Sequence, residues 1–551
     1  MTEPRPRSRH RRAAPVSWGA ACAGVAQLAV SLPAWRAFRA ALDDPRGAQR
    51  AALRRILRGA AGTAFAREHG LEGEGADALR RAVPPRTYDE LRPWIARAAA
   101  GERNVLTRAP VLRFQPSSGS AAPVKLLPWT APLAAELRRA VAAWLADMAL
   151  RRPALLAGPA YWSVSPSGTA LPPTPGGVPV GFDDDGAYLG PVARLLARWA
   201  LAVPESVRHL SDVGEWRRRT LLHLLRAREL RLLSVWSPSF LSVLLGALGE
   251  LLPGLAAEIA AGTPARQAGP GRLEALPPDP RRAAEVERAG DDPRRLWPRL
   301  ALVSCWTDGP SAGEAARLPA LLPGVEIAPK GLIATEGVVS IPFGGTRPLA
   351  VSSHFLEVDT GAGPPRLVHE LREGDVGTVL LTTGGGLWRY RLEDRIEVAG
   401  FLRRTPVIRF LGKQDHVCDR VGEKVHAAFA AAVIARLRSE LVLGDGYAFL
   451  APDDRAGRPS YTLFLAAAGA PAGAPARLEA LLRESFHYAH AAHLGQLAPA
   501  RIFLVAGDAA EAVLLACAAR GQRLGDVKPS PLRRERDWAA VLPGRYAVER
   551  A

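Results

Sequence analysis

Three short segments of this 551-residue chain hold the residue types best suited to chemistry. The first, residues 117–125 (SSGSAAPVK), sets Ser117, Ser118, Gly119 and Ser120 ahead of Lys125. Backbone N–H groups and hydroxyls in a Gly-containing turn can wrap phosphate oxygens, and an ammonium can neutralise them. It is not the G-x-x-x-x-G-K-[ST] loop of P-loop enzymes, and taken alone a Ser/Gly-rich loop is as well a plain connection. The second, residues 330–337 (KGLIATEG), is an apolar strand ending in Thr335, Glu336 and Gly337. A hydroxyl beside a carboxylate at a strand end suits a place where Thr meets a phosphate oxygen and Glu holds Mg²⁺, a hard cation that prefers oxygen ligands. In isolation the same residues read as a polar turn. The third, residues 389–394 (RYRLED), lies in a strand from which Asp394 could accept both ribose hydroxyls of a nucleotide. By itself it is equally an ion-paired surface strand.

The basic residues sharpen the first two segments. Of 72 Lys plus Arg only five are Lys: Lys125, Lys330, Lys413, Lys424 and Lys528. A chain that uses Arg almost everywhere keeps Lys where a compact point charge with a tunable pKa is needed and a planar fork will not do. The net charge of +18 invites a nucleic-acid partner, since a positive field attracts phosphates whatever the fold. The arginines are scattered through helices such as residues 216–233, with no nucleic-acid-binding motif beside them, so that partner is not expected. Cys22, Cys305, Cys418 and Cys517 are far apart and show no C-x-x-C spacing, which indicates neither a zinc site nor a disulfide framework and fits a reducing cytoplasm. His487, His490 and His493 fall at helical spacing and are read as a solvated helix face rather than a metal site.

The elements that must position these residues follow from periodicity. Apolar stripes make residues 34–100 a helical layer, broken at Pro84 and Pro85. Residues 111–115 read as a strand and 132–150 as a helix. The middle alternates helices with short β-like runs at 161–165, 232–236, 300–305 and 331–334, an α/β arrangement with helices packed on a sheet. Residues 262–295, rich in Pro, Gly, Arg and Asp, are expected as an exposed excursion. From residue 349 the pattern becomes an antiparallel β-meander. Beyond residue 412 it becomes a compact α+β unit with helices at 425–441, 475–488 and 509–519 and strands at 461–466 and 501–505. The expected organisation is a basic, apolar N-terminal extension at 1–33, a large domain at 34–411 and a small domain at 412–551. The extension superficially resembles a signal sequence. Its apolar stretch is short for a membrane span, so membrane contact is not expected.

In this order, and with a small terminal domain behind them, the three segments resemble the Gretchen Hagen 3 auxin-responsive family of acyl-acid amido synthetases, a branch of the adenylate-forming superfamily; the chain looks like a bacterial-type member. The likeness extends to RTYDELRPWI, YWSVSPSG, CWTDGPS, FLGKQDHVCDRVGEKV and GDVKP, and runs from about residue 34 to about residue 535. It implies a large adenylate-forming domain and a small mobile one that turns about residues 411–415. It implies ATP and Mg²⁺, with a small carboxylic acid and an amine, such as an amino acid, as substrates. By the resemblance, Ser117, Ser118, Gly119, Ser120 and Lys125 form the phosphate loop, Thr335 and Glu336 meet the α-phosphate and Mg²⁺, and Asp394 grips the ribose within the framework of Tyr390 and Arg391. Lys413 stands at the pivot where Arg is common and joins the nucleotide set. Lys528 is the catalytic lysine carried by the small domain.

The chain departs from the family pattern at Ala121 and Ala122, where the loop usually has a Gly pair, and at Glu393, where Gly usually precedes the ribose Asp. Two other readings therefore stand beside the amido synthetase: thioester formation with coenzyme A as acceptor, and a degenerate nucleotide-binding or regulatory protein. Retention of Lys125, Glu336, Asp394 and Lys528 argues against the last.

Overall fold

The computed structural model describes residues 18–71, 73, 75–116, 125–163, 171–181, 195–196, 199–210, 212–268, 271–413, 417–520, 522 and 524–547. Helices come first: α1 (Trp18–Ala41), α2 (Pro45–Ala60), α3 (Ala64–Glu68), α4 (Ala76–Ala82) and α5 (Tyr88–Ala99). Their starts follow from capping chemistry. Asp44 accepts from the Gly47 N–H ahead of α2, Thr63 from the Ala66 N–H ahead of α3, and Thr87 and Glu90 form a reciprocal capping box at α5. β1 (Val111–Pro116) pairs antiparallel with β2 (Leu126–Thr130), and α6 (Ala131–Arg151) comes next. α1 runs unbroken through Pro33 and packs along α6, so residues 18–33 belong to the same helix as residues 34–41. Among the described residues no single helix is long and apolar enough to cross a membrane.

The middle of the chain runs β3 (Ala160–Trp162), α7 (Val213–Arg226), β4 (Leu232–Ser234), α8 (Pro238–Gly246), α9 (Leu248–Ala261), β5 (Arg266–Ala268), β6 (Gly271–Leu273), α10 (Pro280–Ala289), α11 (Pro293–Leu296), β7 (Leu302–Cys305), α12 (Ala312–Leu321) and β8 (Glu326–Pro329). Strands β3, β4, β7 and β8 form a parallel sheet in that order. Parallel neighbours need a crossover, and the intervening helices provide it while covering the sheet. The expected exposed excursion at 262–295 is corrected: β5 and β6 pair as a hairpin, and α10 places Ala283 and Val286 in the same core as Leu273 and Trp297. The reason is local. Asp279 caps α10, Ala283 and Val286 share a face at i, i+3, and Arg282 is satisfied by the Leu225 and Leu296 carbonyls at 2.7 Å each.

β9 (Ile333–Ala334) and β10 (Gly337–Val338) make a hairpin, and β11 (Phe355–Asp359), β12 (Arg366–Leu367), β13 (Val376–Thr382), β14 (Tyr390–Leu402) and β15 (Thr405–Lys413) form the expected antiparallel sheet, ordered β12-β11-β13-β14-β15. Its inner face meets the N-terminal helices in one core that includes Phe38, Phe65, Trp94, Leu137, Val379 and Trp388.

The terminal unit contains β16 (Val417–Cys418), β17 (Val425–His426), α13 (Ala427–Leu441), β18 (Ala448–Arg455), β19 (Arg458–Leu465), α14 (Ala474–Leu482), α15 (Phe486–His493), β20 (Arg501–Val505), α16 (Ala509–Ala519), α17 (Trp538–Val541) and β21 (Gly544–Tyr546). The helix expected at 475–488 is two helices, with Ser485 in an extended conformation ahead of the second. β18 and β21 lie outside the sequence reading because one ends in charged residues and the other is three residues long. The unit has its own core around Val433, Tyr461, Leu478 and Leu504. It also lends Phe449, Phe464, Phe503 and Trp538 to the core of the parallel-sheet region. α16 packs on α8, and Glu511 pairs with Arg217 of α7.

One buried ion pair ties the antiparallel sheet to the helical layer. Arg389 precedes β14 and is 3% exposed; its Nε and Nη2 donate to Glu357 of β11 at 2.8 and 3.0 Å, and its Nη1 to the Val83 carbonyl at 2.8 Å. Arg80 of α4 donates to the same carboxylate at 2.8 Å. Removing one partner of a buried pair strands the other charge, which costs far more than the pair contributes. Glu357→Ala should destabilise the protein by about 3–5 kcal/mol, read as a fall in the urea midpoint; a change under about 1 kcal/mol would show that solvent reaches Arg389.

Candidate functional site

β14 is not a regular strand. Opposite β13 its partners jump from Arg391, paired with Leu380, to Arg395, paired with Thr378, so the strand carries extra residues at this point. Within them Glu393 takes φ +65°, the left-handed region that glycine enters freely and that costs other residues roughly 1 kcal/mol or more. The Gly usual before the ribose Asp in the resembling family thus corresponds to a backbone requirement, which Glu393 meets under strain. Such a bulge re-aims the side chains beside it. Asp394 emerges buried and in register with Lys413 of β15, whose Nζ lies 4.0 Å from Oδ1.

A short bridge brings the helical layer to this strand. The Arg86 N–H donates to the Arg389 carbonyl at 2.9 Å, and the Arg391 N–H to the Arg86 carbonyl at 2.7 Å. The capping box two residues on fixes the first turn of α5 and with it Tyr88. The Tyr88 hydroxyl accepts the Leu126 N–H at 2.8 Å, and Lys125 holds its Nζ 5.7 Å from the centre of the Tyr88 ring. Burial pushes the Tyr390 hydroxyl far above its ordinary pKa, and the negative charges of Glu336, Glu393 and Asp394, with Tyr88 beside them, push it further. Lys125, Glu336, Tyr390 and Asp394 therefore come together from separate segments. Arg391 turns aside to Asp359, 3.1 Å away.

Thr335 and Glu336 form the two-residue turn between β9 and β10. The turn rests on a buried pair that the sequence reading did not include. A Cβ on Gly337 would come within 2.9 Å of His354 Nε2, so only glycine lets the hairpin settle there. His354 Nδ1 is 2.7 Å from Glu136 Oε2, and Glu136 also accepts the Gly384 N–H at 3.0 Å. No motif marks Glu136 or His354; their partners lie more than 200 residues apart. The Glu336 carboxylate in the hairpin turn is an oxygen donor of the kind a hard cation carried on phosphates takes. Among the described residues there is no His/Cys/Asp/Glu group of three or more that could hold a metal by itself.

Ser117, Ser118, Gly119 and Ser120 lie outside the described residues, as do 414–416 of the expected pivot; Leu411 to Lys413 end β15. Asp308 of CWTDGPS pins that strand, accepting from Arg347 Nη1 at 2.5 Å and from the Phe410 N–H at 3.4 Å. Lys528 is exposed and holds its Nζ 4.7 Å from the Trp306 ring centre. The terminal unit therefore presents Lys528 at the carboxyl end of the parallel sheet, the edge where open α/β sheets place ligands. Trp306 lies 5.6 Å from Trp236, and Lys330 holds its Nζ 4.7 Å from the Trp236 ring centre. Lys330 is 1% exposed, donates to Ser234 Oγ at 2.6 Å and also faces the rings of Trp144 and Trp162, each 5.1 Å away. Burial pushes its ammonium down to about 7. His487, His490 and His493 are exposed on α15.

The chain matches the GH3 family N-terminal domain over residues 34–327 and the GH3 family central domain over residues 354–413. It is 27% identical over 446 residues to a probable indole-3-acetic acid-amido synthetase of Oryza sativa subsp. japonica, covering 70% of this chain and 69% of that protein. It is 27% identical over 355 residues to a GH3 domain-containing protein of Homo sapiens, covering 59% and 65%. Among solved structures, a GH3.15 acyl acid amido synthetase superposes with a TM-score of 0.76 at 17% identity, over 93% of this chain and 96% of that one. The fold, α/β with a helical layer, a meander and a terminal α+β unit, is therefore shared.

The buried Lys330 makes a pH prediction. The native chain releases this proton near pH 7, while the unfolded chain holds it to the ordinary lysine range. Lys330 therefore penalises folding fully below pH 7, and the penalty shrinks as pH rises above it. The stability gained by Lys330→Met over the parent should fall by about 1.4 kcal/mol per pH unit between pH 7 and pH 9. Denaturant midpoints at the two pH values measure it; a constant difference would place the native ammonium in water.

Proposed function

The chain belongs to the GH3 family, and from that premise we propose that it is an ATP-dependent acyl-acid amido synthetase. It adenylates a small carboxylic acid with release of pyrophosphate, then transfers the acyl group to an amino acid or other amine. The observation that carries the reading is the meeting of Lys125, Glu336 and Asp394 around Tyr88 and Tyr390, from three separate segments of the chain.

Each residue type suits one part of the chemistry. As the acid's carboxylate attacks the α-phosphorus of ATP, charge gathers on the phosphoryl oxygens, and a fixed ammonium stabilises it electrostatically. Lys125 supplies one such charge and Lys528, carried in by the terminal unit, the other. Thr335 donates its hydroxyl to an α-phosphate oxygen from the hairpin turn. Asp394 accepts the ribose hydroxyls, with Tyr390 beneath the nucleotide, Arg391 bracing the strand and Lys413 balancing the Asp394 charge. Ser117, Ser118, Gly119 and Ser120 are assigned to the phosphates on the sequence pattern alone. Glu336 would hold Mg²⁺, which when bound neutralises phosphate charge. The amine nitrogen then attacks the acyl carbonyl carbon, the bond to the AMP oxygen breaks and AMP leaves.

We divide the chain into a large domain that ends at 411, includes the whole of α1 and binds ATP and acid, and a small domain at 412–551, which turns about 411–415. One orientation brings Lys528 to the phosphates and another opens the site to the amine while water stays out. The cysteines are free thiols, Cys22 exposed and Cys305, Cys418 and Cys517 buried, which fits a cytoplasmic enzyme.

Acid-dependent exchange of pyrophosphate into ATP tests the reading: a panel of aryl and aliphatic acids should contain at least one that drives it. Absence of exchange with every acid, together with absence of ATP binding, would sink the proposal. Product mass with amino acids against coenzyme A separates amide from thioester. Lys125→Ala should abolish exchange, and an unchanged rate removes it from the site. Asp394→Ala should raise the KM for ATP by roughly tenfold or more, the scale of a lost hydrogen bond to a charged group, while the KM for the acid changes little.

A further inference from the structure

Lys330 is the buried lysine that the proposed chemistry leaves without a role, and its surroundings are built rather than incidental. In the parallel sheet Trp162, Ser234, Ser304 and Ala328 are in register, so they share one face. Two residues further on, that face continues with Trp236, Trp306 and Lys330. Trp144 of α6 closes the far side, 5.8 Å from Trp162. The Lys330 ammonium has three donors, and among the described residues its one hydrogen bond is to Ser234 Oγ. No carboxylate among them pairs with it; the titratable group that acts on it is the buried Cys305 thiol, itself pushed up to about 12 by burial. One strand over from Ser234, Ser304 Oγ is 1% exposed and has no hydrogen-bond partner among the described residues.

A buried cation without an anion is expensive unless something completes it. The three ring faces do so in part by cation–π attraction. They leave spare N–H donors and an unused hydroxyl buried together, next to Trp162, Trp236 and Trp306, which are each half-buried. Lys528 lies over Trp306. Two ammonium groups are thus joined by a pair of neighbouring indoles.

From this arrangement, and resting on the synthetase reading above, we infer that Lys330 is a specificity-determining residue of the acyl pocket. It selects a planar carboxylic acid that carries a second anionic group at the end remote from the reacting carboxylate. The reacting carboxylate lies toward Lys528, the flat body stacks on Trp236 and Trp306, and the remote anion meets the Lys330 ammonium and the Ser304 hydroxyl. An acid that lacks the second anion leaves both groups unanswered, which is the situation in which a polar pocket discriminates most strongly.

The test is pyrophosphate exchange by the full-length protein with benzoate, 3-methylbenzoate, and benzene-1,3- and 1,4-dicarboxylate as probes. At least one dicarboxylate should show a KM tenfold or more below that of benzoate. Lys330→Met should collapse that ratio toward one by raising the dicarboxylate KM, with the KM for ATP held; Lys330→Arg should retain part of the preference, and Ser304→Ala should reduce it about threefold. Melting curves establish that each variant is folded. If Lys330→Met does not fold, Lys330→Arg and Ser304→Ala decide, and no loss of preference in either overturns the inference. Exchange with benzoate but no preference for a dicarboxylate also overturns it while leaving the synthetase reading intact, as does Lys330→Met raising both acids' KM equally. Exchange with some other acid but with none of these four overturns this inference alone; absence of exchange with every acid, together with absence of ATP binding, overturns the synthetase reading and this inference together.

Discussion

The buried contact of Arg389 with Glu357 is the constraint on which the proposed nucleotide side of the site depends. The guanidinium holds a carboxylate of β11 and a carbonyl at the end of the helical layer, while the backbone at the same residue turns left-handed. A chain fixed in both side chain and backbone at this point leaves the next residues little freedom. Tyr390 must enter β14 next to Glu336, Arg86 must lie across it, and Tyr88 brings Lys125 after it. The pair does not contribute much stability by itself, because desolvating two charges offsets their attraction. It makes alternatives costly, and that is a statement about specificity of arrangement.

A second layer of buried polarity works the same way under the Thr335–Glu336 turn. His354 and Glu136 are closed off from solvent and bonded to each other, with Gly337 resting on the imidazole. The hairpin that presents Glu336 is short, two residues per strand, and such a hairpin has no stability of its own. Its position comes from what it rests on. The parallel sheet shows the contrasting case, in which a cation is held largely by aromatic faces, and where the terminal unit docks through a shared apolar core.

Residue 393 shows how a departure from a pattern becomes intelligible once the backbone is known. In the sequence, Glu393 is an extra carboxylate beside the residues assigned to the nucleotide by the family resemblance. In the structure it is the left-handed residue of a bulge that turns Asp394 toward Lys413. The same bulge would form more easily with glycine, so the substitution bears on strain and local charge and leaves the fold alone.

Much of the fold was legible in the sequence because it rests on local rules. Capping residues and 3.6-residue stripes mark the N-terminal helices, and apolar alternation between Gly-rich turns marks the meander. The excursion at 262–295 was misread because composition outweighed a three-residue apolar spacing in α10, and β18 and β21 were missed because they hold their place through neighbours in the sheet. Of the proposed site, the motifs name Lys125, Thr335, Glu336 and Asp394, since each chemistry needs its own residue type, and the family resemblance adds Lys528. The scarcity of lysine also singled out Lys330. The sequence by itself thus determined which residues are available and the elements that carry them. Only the tertiary structure decided that Tyr88, His354 and Glu136 support them and that three tryptophans surround Lys330. Those contacts join residues far apart in the chain, and long-range burial leaves no periodic trace for a sequence to show.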